Sequence, residues 1–183
     1  SRGSGMTKSP CPPLGDDQWP VSIADLNDDF AGALNVYRTM AHHPYLLRAW
    51  APLRMHIVKD TALGPERSEL VILRAAYRMG SAYEWAHHVS RARKLGMSDE
   101  RIAAMREMPE GLDGLIAGAV DSLFENKRLS LEEERRLSDA IGRPAVFDLI
   151  ATVGFYSVLG YLLMTYETPI DRGVAEEMSA APL

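Results

Sequence analysis

Apolar residues recur along the chain at helical spacing, and no strand-type alternation persists for a useful length. Ile23, Leu26, Phe30, Leu34 and Tyr37 predict a helix over about 22–41, which His42-His43-Pro44 ends. Leu46, Leu47, Trp50, Leu53, Met55 and Val58 predict a second over 44–59. Two consecutive helices follow, 65–79 and 81–95, divided by Gly80, and Ser98-Asp99-Glu100 starts another with a side-chain cap and acids in its first turn. After a turn at 109–114 come an amphipathic helix over 112–127, a charged one from the capping box at Ser130 to Ile141, and an almost wholly apolar one over 145–166. The predicted fold class is all-α, with one domain over 21–183. Residues 1–20 form an extended proline-rich leader whose first five positions read as an expression scar. The tail, 170–183, is expected to pack loosely or to reach a partner subunit.

The candidate chemistry sits on the two central helices. Pro65 opens the first, where the missing proline N–H is not needed. At about 100° per residue, Arg67, Arg74 and Arg78 share one sector, while Ile72, Leu73 and Ala76 lie opposite. Glu69 falls in the middle of that apolar side. A carboxylate there must be paired, hydrogen-bonded or protonated, and its pKa is expected to be raised, as a general acid or base near neutrality requires. A structural glutamate paired with an arginine satisfies the same pattern.

Ser81-Ala82-Tyr83-Glu84 reads as a capping box, in which the Ser81 hydroxyl accepts from the Glu84 amide and the Glu84 carboxylate reaches back to the Ser81 amide. Tyr83, His87, Arg91 and Lys94 form the polar side of this helix, and Trp85, Val89, Ala92 and Leu95 the apolar side. His88 points inward with the second group, one turn after Glu84 and therefore able to touch it. Glu69, Glu84 and His88 are the candidate catalytic residues. Trp85 and Tyr156 are candidates for substrate binding.

The run from Leu63 to Ile102, LGPERSELVILRAAYRMGSAYEWAHHVSRARKLGMSDERI, resembles the carboxymuconolactone decarboxylase family, which includes the AhpD-like alkylhydroperoxidases. The resemblance implies an AhpD-like multi-helix orthogonal bundle and a Glu/His proton relay. In the peroxidase branch a glutamate precedes a C-x-x-C-x-x-x-H motif. On this sequence that glutamate is Glu69, the cysteines fall on Ser81 and Glu84, and the histidine is His88. Neither cysteine position carries sulfur, which argues against disulfide-based peroxide reduction. The decarboxylase branch implies cofactor-free proton transfer on a small unsaturated lactone acid. The family also implies a homo-oligomer, whether dimer, trimer or hexamer.

Composition narrows the remaining classes. A net charge of -5 disfavours nucleic acid and anionic lipid as partners. The single cysteine, Cys11, excludes an internal disulfide and suits a cytoplasmic protein. The 145–166 stretch is long enough to cross a bilayer, but Asp148, Gly154, Ser157 and Gly160 interrupt it and neither flank is basic. It is expected instead in the core or at a subunit contact, with its glycines permitting close approach. His42, His43 and His56 have no third ligand at a helpful spacing, so no metal site is assigned to them. The leading expectation is therefore a cofactor-independent acid–base enzyme for a small organic acid or lactone. The alternatives are a metal enzyme ligated by Glu69, Glu84 and His88, a thiol antioxidant using Cys11, and a non-catalytic helical oligomer.

Overall fold

In the computed structural model, which describes residues 8–183, the chain is a helical bundle built around one helix whose middle is buried on all sides. In chain order the helices are α1 (Ala24–Asn27), α2 (Asn35–Met40), α3 (Pro44–Lys59), α4 (Pro65–Met79), α5 (Ala82–Lys94), α6 (Asp99–Ala103), α7 (Gly111–Asn126), α8 (Leu131–Ile141), α9 (Arg143–Thr165) and α10 (Arg172–Ala180). Among the described residues there is no strand. The predicted scar at 1–5 lies outside them.

Helix α4 is the axis, packed between α5, α7 and α9. Residues Ser68 to Ala76 are all buried. One apolar cluster gathers Leu70, Val71 and Leu73 with Val89, Ile116, Leu137 and Leu149. A second joins Ile72 to Trp19, Leu47, Ile57, Tyr83, Phe155 and Leu159. Helices α4, α5 and α9 contribute to both clusters; α4 and α5 carry the candidate acid–base residues and α9 carries Tyr156. Of the three arginines that share one sector of α4, Arg67 and Arg78 are half-buried and Arg74 is buried. Arg74 is 6% exposed, donates through Nε and Nη2 to Asp121 at 2.9 and 2.7 Å, and caps the Met105 and Glu107 carbonyls through Nη1. A bidentate partner on α7 is what lets a guanidinium be buried there.

Most helix boundaries agree with the periodicity, but the expected helix over 22–41 does not form as one piece. It is broken into 3-10 turns at Val21–Ile23 and Ala31–Ala33 with the short α1 and α2 between and after them. The Asn27-Asp28-Asp29 run competes for backbone hydrogen bonds, and the chain doubles back so tightly that a Cβ on Gly32 would lie 1.9 Å from the Asn27 carbonyl oxygen. Leu34 is then extended, at φ -129 and ψ 134.

Both ends are anchored more firmly than the sequence suggested. Within the leader, Trp19 is buried and donates to the Ile23 carbonyl at 2.8 Å, and Leu14 exchanges hydrogen bonds with Arg38. The tail does not pack loosely. Asp171 accepts from the Asn35 amide at 3.0 Å, the Tyr83 hydroxyl at 2.5 Å and His87 Nε2 at 2.7 Å, while Glu177 accepts from Ser90 and Arg93.

Helix α9 passes the length and hydropathy test for a membrane span, yet 56% of its most apolar window is buried within this fold. Asp148, its one interior charge, accepts from His56 at 2.7 Å and the Ala62 amide at 2.7 Å, pinning the helix to the loop before α4. Of its two glycines, Gly160 makes the expected close approach, since a Cβ there would lie 2.8 Å from Met79 Sδ. Gly154 faces open space. The approach at Gly160 seats Tyr156, one turn earlier, over the α4–α5 pair.

Candidate active site

Glu69 from α4 and Glu84 and His88 from α5 meet as a buried trio. His88 Nδ1 lies 2.6 Å from Glu69 Oε2 and Nε2 lies 3.1 Å from Glu84 Oε2. The relative exposures of Glu69, Glu84 and His88 are 8, 4 and 3%. Both ring nitrogens therefore face carboxylate oxygens, an arrangement that a doubly protonated imidazolium satisfies with two charge-assisted hydrogen bonds. Burial is the largest influence on His88 and pushes its pKa down. The Glu69 charge and the hydrogen bonds His88 donates to both carboxylates outweigh it and raise the value to about 9.

The arrangement depends on how α5 begins. The Ser81 hydroxyl accepts from the Glu84 amide at 3.3 Å, as the capping pattern requires. The reciprocal half is missing, because the Ser81 amide donates instead to the Ala76 carbonyl at 3.0 Å. Gly80, at φ 74 and ψ 27, turns the chain so that this bond closes α4. The Glu84 carboxylate is thus left for His88. At Ser130 the same spacing gives the complete box, with Ser130 and Glu133 each accepting from the other's amide.

Tyr156 stands edge-on to His88, with ring centroids 5.0 Å apart and planes at 87°. Burial, reinforced by the Tyr37, Glu84 and Glu69 charges, holds its hydroxyl well above the ordinary phenol value, so it remains a donor. Trp85 does not join the trio. Its Nε1 donates to the Leu183 carbonyl at 3.1 Å and Arg106 covers the ring, on a face turned away from His88. Helical geometry accounts for this, since Trp85 precedes His88 by three positions and flanks rather than follows the Glu84–His88 line. The predicted polar side of α5 is also corrected. Tyr83 and His87 are buried beneath Asp171, and Leu95, placed on the apolar side, is 44% exposed.

Two clefts reach the trio. An outer one of about 280 Å³ is lined by Glu69, Ser68, Lys59, Lys94, Arg91 and Tyr156. An inner one of about 30 Å³ touches Glu84 and His88 together with Arg54, Tyr37 and Tyr83. Arg91, Tyr156 and Val58 line both. The outer volume suits a small ligand, and its three cations against Glu69 favour an anionic one. Sequence reasoning called for an arginine near the trio without choosing one. Arg91 had only its i+3 spacing from His88 to mark it, and Arg54, on the helix before the central pair, had no local mark. Among the described residues no group of three or more His, Cys, Asp or Glu side chains has metal-holding geometry. Cys11 lines neither cleft.

No curated protein sequence matches the chain. Among solved structures it is similar to the apo debrominase Bmp8, with a TM-score of 0.73 and 16% identity over 96% of this chain and 98% of that one. A cysteine-to-alanine variant of that debrominase, in complex with 2,3,4-tribromopyrrole, is similar with a TM-score of 0.69 and 17% identity, over 95% of this chain and 98% of the other. At these identities the likeness establishes a shared fold. Residues 44–117, which span α3 to the middle of α7 and hold Glu69, Glu84 and His88, match the model of the carboxymuconolactone decarboxylase family. The likeness to the carboxymuconolactone decarboxylase family is thus carried by that segment, which holds the whole trio.

Proposed function

We propose that the protein is a cofactor-independent acid–base enzyme that moves a proton on a small organic acid or lactone, in a decarboxylation or isomerisation. The observation that carries this reading is the His88 imidazole held between two buried carboxylates, with Glu69 at a cleft of about 280 Å³. A cluster serving only the core would have no need of the cleft. Glu69 exchanges the proton with a substrate carbon. His88 keeps the carboxylate oriented and offsets the charge change, and Glu84 holds the far side of the ring. The Tyr156 hydroxyl supplies a neutral donor for developing negative charge. A thiol route would lack its nucleophile here, since the only cysteine is Cys11. Debromination, named for the structural neighbour, has no support from this site beyond the fold.

The test is incubation in deuterated water with unsaturated lactone acids and their open-chain isomers, followed by proton NMR. Deuterium gain at carbon next to a carboxyl or lactone carbonyl, or loss of carbon dioxide, is the expected result. A panel of such acids recovered unlabelled and unchanged would refute the reading.

The expected homo-oligomer finds its support on α9. Phe147, Ile150, Val158 and Tyr161 are 69, 46, 39 and 62% exposed, and at 100° per residue they form one apolar stripe around Gly154. A second copy of the chain is the proposed cover. Sedimentation should give a species heavier than the 20.3 kDa chain, and Ile150→Arg with Tyr161→Arg should reduce it to that mass. A wild-type monomer would dismiss the interface.

A further inference from the structure

The inner cavity contains a cation without a matching anion. Arg54, on α3, is 7% exposed, yet its Nε has no hydrogen-bond partner among the described residues. The other buried side-chain nitrogen without a partner is Trp50 Nε1, one turn earlier on the same helix. The guanidinium lies over Phe30 at 4.4 Å and near Tyr37 at 5.6 Å from the ring centroids. Aromatic faces offset part of its desolvation but leave its Nε–H without an acceptor. Arg74 shows what a comparably buried arginine in this chain normally has, a bidentate carboxylate. Arg91 lines the same cavity and likewise has no carboxylate at ion-pair distance among the described residues.

We propose that the inner cavity is a carboxylate-binding subsite in which Arg54, assisted by Arg91, receives the acid group of the substrate, whose body lies in the outer cleft. Calling the ligand a substrate rests on the acid–base reading above; the anion site itself does not. Two guanidinium groups line the cavity against one carboxylate, Glu84, which is already engaged by His88 Nε2 at 3.1 Å. A volume of about 30 Å³ holds roughly two water-sized atoms, the two oxygens of a carboxylate. The planar guanidinium fork matches that geometry, whereas a tetrahedral oxyanion is too large. Because Arg91 and Tyr156 line both spaces, the carbon next to the bound carboxylate would sit at their junction, beside the trio.

The full-length chain, labelled with nitrogen-15 at arginine Nε, can be titrated with acetate, with neutral acetamide and with inorganic phosphate. The Arg54 Nε–H resonance should shift saturably with acetate alone. By calorimetry Arg54→Gln should weaken acetate binding about tenfold or more, with Arg54→Lys intermediate and Glu69→Gln still binding. An Nε–H signal indifferent to acetate, equal affinity in Arg54→Gln, or preference for phosphate would each overturn the assignment. The wild-type titration needs no variant, so it decides the matter even if Arg54→Gln fails to fold. Acetate binding without turnover of any acid would leave the subsite standing and remove the proposed function. Turnover whose KM is unmoved in Arg54→Gln would do the reverse.

Discussion

Glu69→Gln should lower turnover about 10²- to 10⁴-fold, the range a positioned proton carrier contributes, while the thermal midpoint moves by only a few degrees. The amide keeps the volume of the acid and can still accept from His88 Nδ1, now 2.6 Å from Glu69, so packing is preserved while the proton-accepting carboxylate is lost. The same change has a second readout that a merely structural glutamate would share only in part. Among the influences that raise the His88 pKa to about 9, the Glu69 charge is the largest. Removing it should move the imidazole titration, followed by ring-proton NMR, to distinctly lower pH. If turnover survives in Glu69→Gln, Glu69 is not the proton carrier, whatever the imidazole does.

His88→Ala should destabilise the protein by about 3–5 kcal/mol, because it leaves two buried carboxylates facing an empty space with no counter-charge. For a chain of this size that is a fall in Tm of about 6–20 °C. The variant therefore tests stability rather than catalysis, and the mutation best suited to kinetics is the isosteric one at Glu69. The deficit should shrink on acidification, as the stranded carboxyls take up protons. The wild type carries the complementary signature. His88 holds its proton to about 9 in the folded state, against about 6.5 in an unfolded chain. A raised folded pKa contributes stability that is fully present below about pH 6.5 and is lost as the pH rises through about 9. Unfolding free energy should therefore decline across that window in the wild type and remain flatter in His88→Gln. Equal slopes in the two proteins would show that His88 is not protonated in the fold.

The two serine caps show why the sequence could not settle the role of Glu84. Ser81 and Ser130 both stand three positions before a glutamate, and local pattern assigns the same reciprocal bonding to both. At α8 the glutamate serves both partners, Oε1 accepting from the Ser130 amide and Oε2 from the Ser122 hydroxyl, so the box closes. At α5 the preceding helix lies directly against the cap, its Ala76 carbonyl takes the Ser81 amide, and a histidine one turn ahead takes the carboxylate. A long-range contact made available by the α4–α5 turn decided between two locally equivalent outcomes. His87 and Trp85 teach the same lesson. Helical phase put His87 outside and Trp85 inside, but Asp171, far away in sequence, covered His87. The expected helix over 22–41 failed for a different reason, since apolar spacing was sound while the Asn-Asp-Asp run and the Gly32 reversal interrupted it.

What the sequence determined alone was the all-α class, the extents of α3, α4 and α5, and the reach of Glu84 to His88 one turn on. These follow from interactions within a few turns: periodicity, proline and glycine punctuation, and i,i+4 neighbours on one helix. Only the tertiary structure decided that Arg54 stands unpaired beside the trio, that Arg91 and Tyr156 line both clefts, and that the tail locks onto α5 through Asp171. Those depend on which helix faces are pressed together. That choice is made by burial summed over the whole core, and no local pattern of residues encodes it.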